Sequence, residues 1–199
     1  YARYALPSMR YYMSVHHIHK THEVQLDSLA KKYLKLWLKI QKNGVTDASI
    51  FRPYMLSLKA PSQLYKEAHA GTYTMIRTKG DLLVNHALDS RVERESVWTN
   101  KSSTVCEVDK MFRENIENRN IIIDTNMTAG EKNKVIAKAK KQMNLSIKEE
   151  TLLYWNKKIQ KLVLQGDFIN LLIEEKSNVT WKSISNNIPK GVLSFALKA

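Results

Sequence analysis

The chain has one cysteine, Cys106, among 199 residues. An intrachain disulfide needs two cysteines and a CxxC metal site needs at least as many, so neither can hold this fold. Beside Val105 and Val108, Cys106 reads as a small buried apolar side chain. Glycine is scarce too: the six glycines never cluster, which removes a phosphate-cradling loop. The chain lacks a GxSxG turn and an HExxH helix, and it never places two aspartates together to gather a catalytic metal. No apolar run approaches the roughly 20 residues of a spanning helix. The start, YARYALPSMRYYM, lacks the continuous apolar segment of a signal peptide. The expectations are an intracellular protein and no membrane partner. The Asn-x-Ser/Thr sequons at Asn100, Asn126, Asn144 and Asn178 matter only in a secreted chain and are read as chance.

Acidic residues are the last shortage. Asp and Glu number 19 against 32 Lys and Arg, a formal charge of +13, while 43% hydrophobic content suffices for a core. Such an excess exceeds what solubility requires and favours a polyanionic partner, with nucleic acid the leading candidate and the nucleus the expected compartment. Tyr1 in place of Met, and a final VLSFALKA that reads as helix in progress, make a piece of a longer protein the expectation.

Patterning gives an all-α fold. Pro7 to His22 reads as a helix or helical approach, and Thr21 is placed to cap the helix that follows. That helix is expected to stop at Asn43-Gly44, followed by a loop through Pro53 to Pro61. Ser62 opens the next helix, with Leu64, Ala68, Gly71 and Met75 as a small-residue face suited to close packing and Gly80 as its end. Asp81 caps a helix to about Trp98, and Ser102 or Ser103 starts another whose seam is Val105, Val108, Phe112 and Ile116. Asn118 to Met127 breaks the period. The expected organisation is a helical bundle over 1–117, a linker at 118–127 and a second small helical domain over 128–199. The second domain has capping boxes at Thr128-x-x-Glu131 and Ser146-x-x-Glu149 and a seam of Leu152, Trp155, Ile159 and Leu162. Asp167, Thr180 and Pro189 mark later helix starts.

LDSLAKKYLKLWLKIQK, Leu26 to Lys42, carries two stripes. Leu26, Leu29, Tyr33, Trp37 and Ile40 recur at the spacing of one buried face. Lys31, Lys35, Lys39 and Lys42 share another face within roughly a 100° arc, with Lys32 at its border. A lysine face is either merely solvated or a phosphate contact. A second basic helix, with Lys132, Lys134, Lys138, Lys140 and Lys141 beside Val135, Ile136 and Ala139, favours the contact; Lys134, Lys138 and Lys141 join the first set as candidate nucleic-acid-binding residues. Tyr11, Tyr12, Tyr33 and Trp37 either stack on bases or pack in the core.

Other chemistry finds less support. His16, His17, His19 and His22 are the best metal candidates, but no cysteine accompanies them and only Glu23 and Asp27 lie near, so no metal site is expected. Among Asp89, Glu93, Glu95, Glu149, Glu150, Glu174 and Glu175, the Glu93-Arg94-Glu95 group reads as local ion pairing with Arg91. No catalytic residue is expected.

The ordered runs SVHHIHKTHEVQLDSLAKKYLKLWLKI, SIFRPYMLSLKAPSQLYKEAHAG, DLLVNHALDSRVERESVW, and WNKKIQKLVLQGDF followed by NVTWKSISNNIPKGVLSFALKA closely resemble the C-terminal part of reverse transcriptases from non-LTR-type retrotransposons of animals. The likeness covers most of the chain and is weakest from about Asn115 to Lys148. The family's palm aspartates and its downstream cysteines are absent, and WLKIQKNG stands where the family has a WLGLP-like corner. The resemblance implies a thumb-like bundle and the helical linker region after it, with no cofactor of its own. The parent polymerase would hold magnesium and nucleotides in its palm. It further implies an RNA/DNA template-primer duplex held by the lysine stripe, and the parent's palm and fingers as partners of the chain. Two alternatives remain: a host-adopted helical protein that binds an acidic protein partner, and a metal-dependent enzyme built on the histidines.

Overall fold

The computed structural model describes residues 5–39, 47–51, 58–115 and 127–161. Among them every regular element is a helix: α1 Ala5–Val15, α2 Lys20–Trp37, α3 Asp47–Phe51, α4 Pro61–Lys79, α5 Leu82–Thr99, α6 Thr104–Asn115 and α7 Ala129–Ile159. The all-α expectation holds.

Local signals set most helix ends. Gly80 takes the left-handed φ of 72° that ends α4. Asp81 then accepts the Val84 N–H at 3.1 Å as the N-cap of α5. Asn100, at φ 48°, closes α5 and donates its N–H to the Ser96 carbonyl. Ser103 Oγ accepts the Cys106 N–H at 3.3 Å and opens α6. The first capping box forms reciprocally: the Thr128 N–H reaches Glu131 Oε2 at 2.9 Å and the Glu131 N–H reaches Thr128 Oγ1 at 3.4 Å.

Other local expectations are corrected. Thr21 lies inside α2 rather than before it: the carbonyl of His19, just ahead of the helix, accepts from His22 and Glu23, and His19 Nδ1 lies 2.9 Å from Thr21 Oγ1. The helix ends at Trp37, and Lys39 adopts the left-handed φ of 54°, before Asn43-Gly44 can act. Residues 43 and 44 lie outside the described set. The expected loop region is preceded by the short helix α3. Ser146-x-x-Glu149 does not start a helix but lies inside the unbroken α7. The expected breaks and caps at 118–126, 166–167, 180 and 189 lie outside the described residues.

Two compact units interleave along the chain, one comprising 3–24 and 62–147 and the other 1–2, 25–61 and 148–199. In the first unit, Ala70 and Tyr73 of α4, Val108, Met111 and Phe112 of α6, and Ala139, Met143 and Ile147 of α7 form the core, with Leu88 and Val92 of α5 packed against it. The Tyr73 and Phe112 rings meet edge-on at 5.5 Å. Tyr73 carries a hydroxyl into this core, and Asp109 satisfies it; Arg113 Nε reaches the same carboxylate at 2.9 Å. Arg77 Nε and Nη2 donate to the Tyr73 hydroxyl at 3.0 and 2.9 Å, and Arg77 also pairs with Asp89 of α5. Every member of this polar group thus has a partner, the condition for burying it.

In the other unit, Leu34, Ile50, Phe51, Ala60, Trp155 and Ile159 are buried, and the Phe51 and Trp155 rings lie 6.1 Å apart. The long helix α7 contributes to both units through one four-residue ridge: Ala139, Met143, Ile147, Trp155 and Ile159 are all buried, and Thr151 between them is half-buried.

Candidate nucleic-acid interface

The basic residues of α2 do not form the continuous exposed stripe that a helical wheel suggests. Lys35 is 8% exposed. Burial lowers its ammonium pKa below the ordinary value, with Asp47 opposing and Lys31 adding to that effect. Lys31 Nζ pairs with Asp47 Oδ2 of α3 at 3.0 Å. Lys32 and Lys39 are exposed, and Lys42 lies outside the described residues.

The apolar stripe is corrected as well. Leu29, Tyr33 and Trp37, expected in the core, are 50%, 45% and 52% exposed, whereas Leu34 is buried. Leu26 is half-buried and Ile40 lies outside the described residues. The helix has turned its Ala30–Leu34–Leu38 ridge inward, a second apolar stripe at the same spacing, and Asp47 compensates Lys31 on that side. Outward, Tyr33 and Trp37 stand one helical turn apart with ring centroids at 6.1 Å, and Lys32 is exposed on the same helix.

On α7, residues 132–148 contain six lysines and no aspartate or glutamate. Lys134, Lys138 and Lys141 are all exposed. Their spacing places them within roughly a 60° arc, away from the Ala139–Met143–Ile147 ridge that faces the core. Such a face presents three ammonium groups to one side with no carboxylate within the stretch 132–148 itself, Glu131 standing just before it, an arrangement suited to a chain of phosphates.

His16, His17, His19 and His22 are exposed; His17 Nε2 lies 3.5 Å from Glu95 Oε1, and the His19 and His22 rings meet at 6.4 Å. Among the described residues, no group of three or more His, Cys, Asp or Glu side chains is arranged to hold a metal ion. Asp89 is engaged by Arg77, which lowers its carboxyl pKa below the ordinary value. Glu93 is exposed, Glu149 and Glu150 face outward on α7, and Glu174 and Glu175 lie outside the described residues. Cys106 is buried, as expected.

Sequence reading missed one ionic cluster. Glu23 is buried: Thr104 Oγ1 donates to it at 2.5 Å and Lys20 lies at 3.4 Å. Burial nevertheless raises its carboxyl pKa above the ordinary value. Lys20 and Lys66 converge on Glu107 at 3.3 and 2.9 Å. These pairs span up to 87 positions, and no local pattern announces them. No helix among the described residues is long and apolar enough to cross a membrane. In comparisons with known proteins, no family model, no curated protein and no solved structure matches the chain.

Proposed function

We propose that the chain is a noncatalytic, nucleic-acid-binding C-terminal part of a retroelement reverse transcriptase that grips the template-primer duplex. The observation that carries this reading is the acid-free, lysine-rich stretch 132–148 of α7 with Lys134, Lys138 and Lys141 exposed on one face. The net charge of +13 and the ordered reverse-transcriptase-like runs support it. Lysines on a helix contact phosphate oxygens and hold register and orientation without reading bases. Lys32 and Lys39 can add such contacts, whereas Lys31 and Lys35 would have to leave Asp47 or a buried position to do so. In this proposal magnesium and nucleotides act in the palm of the parent polymerase, and this chain supplies grip.

The test measures binding of an RNA/DNA heteroduplex across a salt series. Affinity should fall as salt rises, and changing Lys134, Lys138 and Lys141 together to Gln should flatten the log–log slope by about 2–3 units, at about 0.9 per lost phosphate contact. An unchanged slope in the triple variant, or no binding at low salt, would sink the proposal.

A further inference from the structure

A trough of about 430 Å³ lies between α1 and α4, lined by Pro7, Arg10, Tyr11 and Ser14 on one wall and by Glu67, Ala68, Gly71, Thr72 and Met75 on the other, with Lys140 of α7 completing it. Its volume is in the range of small-ligand sites. Gly71 does not serve the close helix packing that its small size suggests: a Cβ added there would meet nothing within 4 Å. A glycine inside a helix is less stable than an alanine there, and here it leaves open space at the trough wall.

Three features define what the space would accept. Arg10 and Lys140 bring two cations, neither with an ion pair among the described residues. The one carboxylate on the walls, Glu67, accepts from Gln63 Nε2 at 3.1 Å. Tyr11 presents a ring that is 70% exposed and braced edge-on by Tyr12 at 5.7 Å. Cations alone would suit any anion. A guanidinium and an ammonium beside an exposed aromatic plane suit a phosphate joined to a flat base, and the Thr72 hydroxyl and Glu67 carboxylate can meet sugar hydroxyls or base amino groups.

We propose that this trough is a nucleotide-binding site, with Arg10 and Lys140 on the phosphate and Tyr11 against the base. The nucleotide is either a free mononucleotide or one unit of a single strand; only the second source rests on the nucleic-acid reading above. The site is distinct from the face formed by Lys134, Lys138 and Lys141.

The full chain is titrated with adenosine 5′-monophosphate and, separately, with a labelled ten-nucleotide single strand. Arg10→Gln and Lys140→Gln should each weaken binding roughly tenfold or more, the expected size of one lost charged contact. Gly71→Leu should abolish binding by filling the trough, and Gly71→Ala should retain it. The Arg10 and Lys140 variants keep the test valid if Gly71→Leu unfolds. Binding of the mononucleotide identifies a free-nucleotide site, whereas strand binding without it assigns the trough to a strand. The idea is overturned if neither probe binds, or if binding survives Arg10→Gln and Lys140→Gln. Heteroduplex binding that responds to the α7 lysines but not to Gly71→Leu leaves the functional proposal intact while these outcomes decide the trough.

Discussion

His69 shows how a single titratable side chain can govern acid stability. Its ring meets Tyr65 edge-on at 4.6 Å, and its buried Nε2 has no hydrogen-bond partner among the described residues. Burial, with the nearby charges of Arg91 and His17, lowers its pKa from 6.5 to about 4. The folded chain therefore resists protonation that the unfolded chain accepts, and stability is lost as pH falls from 6.5 toward 4. At 1.36 kcal/mol per unit, the loss between pH 7 and pH 5 is at most about 2 kcal/mol. Urea unfolding at both pH values should show that loss, and His69→Gln should remove most of it; an equally steep loss in the variant would refute the assignment. Glu23 acts in the opposite sense, because its raised pKa contributes stability below the ordinary carboxylate value that fades as pH rises through the folded one. Neither residue was legible in the sequence as a buried group. Their environments come from partners far along the chain, such as Thr104 for Glu23, and helical spacing cannot indicate which distant side chain will arrive.

The helix α5 depends more on its ends than its neighbours do, since none of its residues is fully buried and only Leu88 and Val92 pack partly against the core. Asp81→Ala removes the acceptor for the Val84 N–H and should cost about 1 kcal/mol. Hydrogen exchange provides the local check: the Val84 amide should exchange faster while Phe112 of α6 changes only by the global loss of stability. Protection of Val84 unchanged from the parent would argue that the cap does not hold the helix. This element also marks how far the sequence could be read. The starts of α5, α6 and α7 and the end of α4 follow from side chains within three or four positions, and all were legible. The orientation of α2 was not, because LDSLAKKYLKLWLK contains two apolar stripes and spacing alone does not rank them. Packing selected Leu34, and with it turned Lys31 and Lys35 inward and Tyr33 and Trp37 outward. The α7 lysine face was legible because only one apolar ridge competes with it over 132–148.

At the scale of the whole molecule, a charge of +13 should impose opposite salt responses on folding and on binding. Uncompensated positive charges repel one another in the compact state, and salt screens that repulsion. Raising ionic strength from about 10 mM to 150 mM shortens the screening length from about 30 Å to about 8 Å. Exposed pairs such as Lys110–Glu114, at 3.8 Å, lose attraction under the same change, but pairs of this kind contribute little. Buried pairs are screened less, so the Arg77–Asp109 group changes little. The net expectation is stabilisation by about 1 kcal/mol, which raises Tm by about 2–4 °C for a chain of this size. A phosphate-binding face responds in reverse, because salt weakens the gain from counterion release. Thermal unfolding of the free chain and heteroduplex binding should therefore be measured in the same salt series. A Tm that rises while affinity falls assigns both responses to the excess positive charge. A Tm that falls with salt would mean that local ion pairs outweigh the global repulsion, and the charge excess would lose its role in the stability of the free chain.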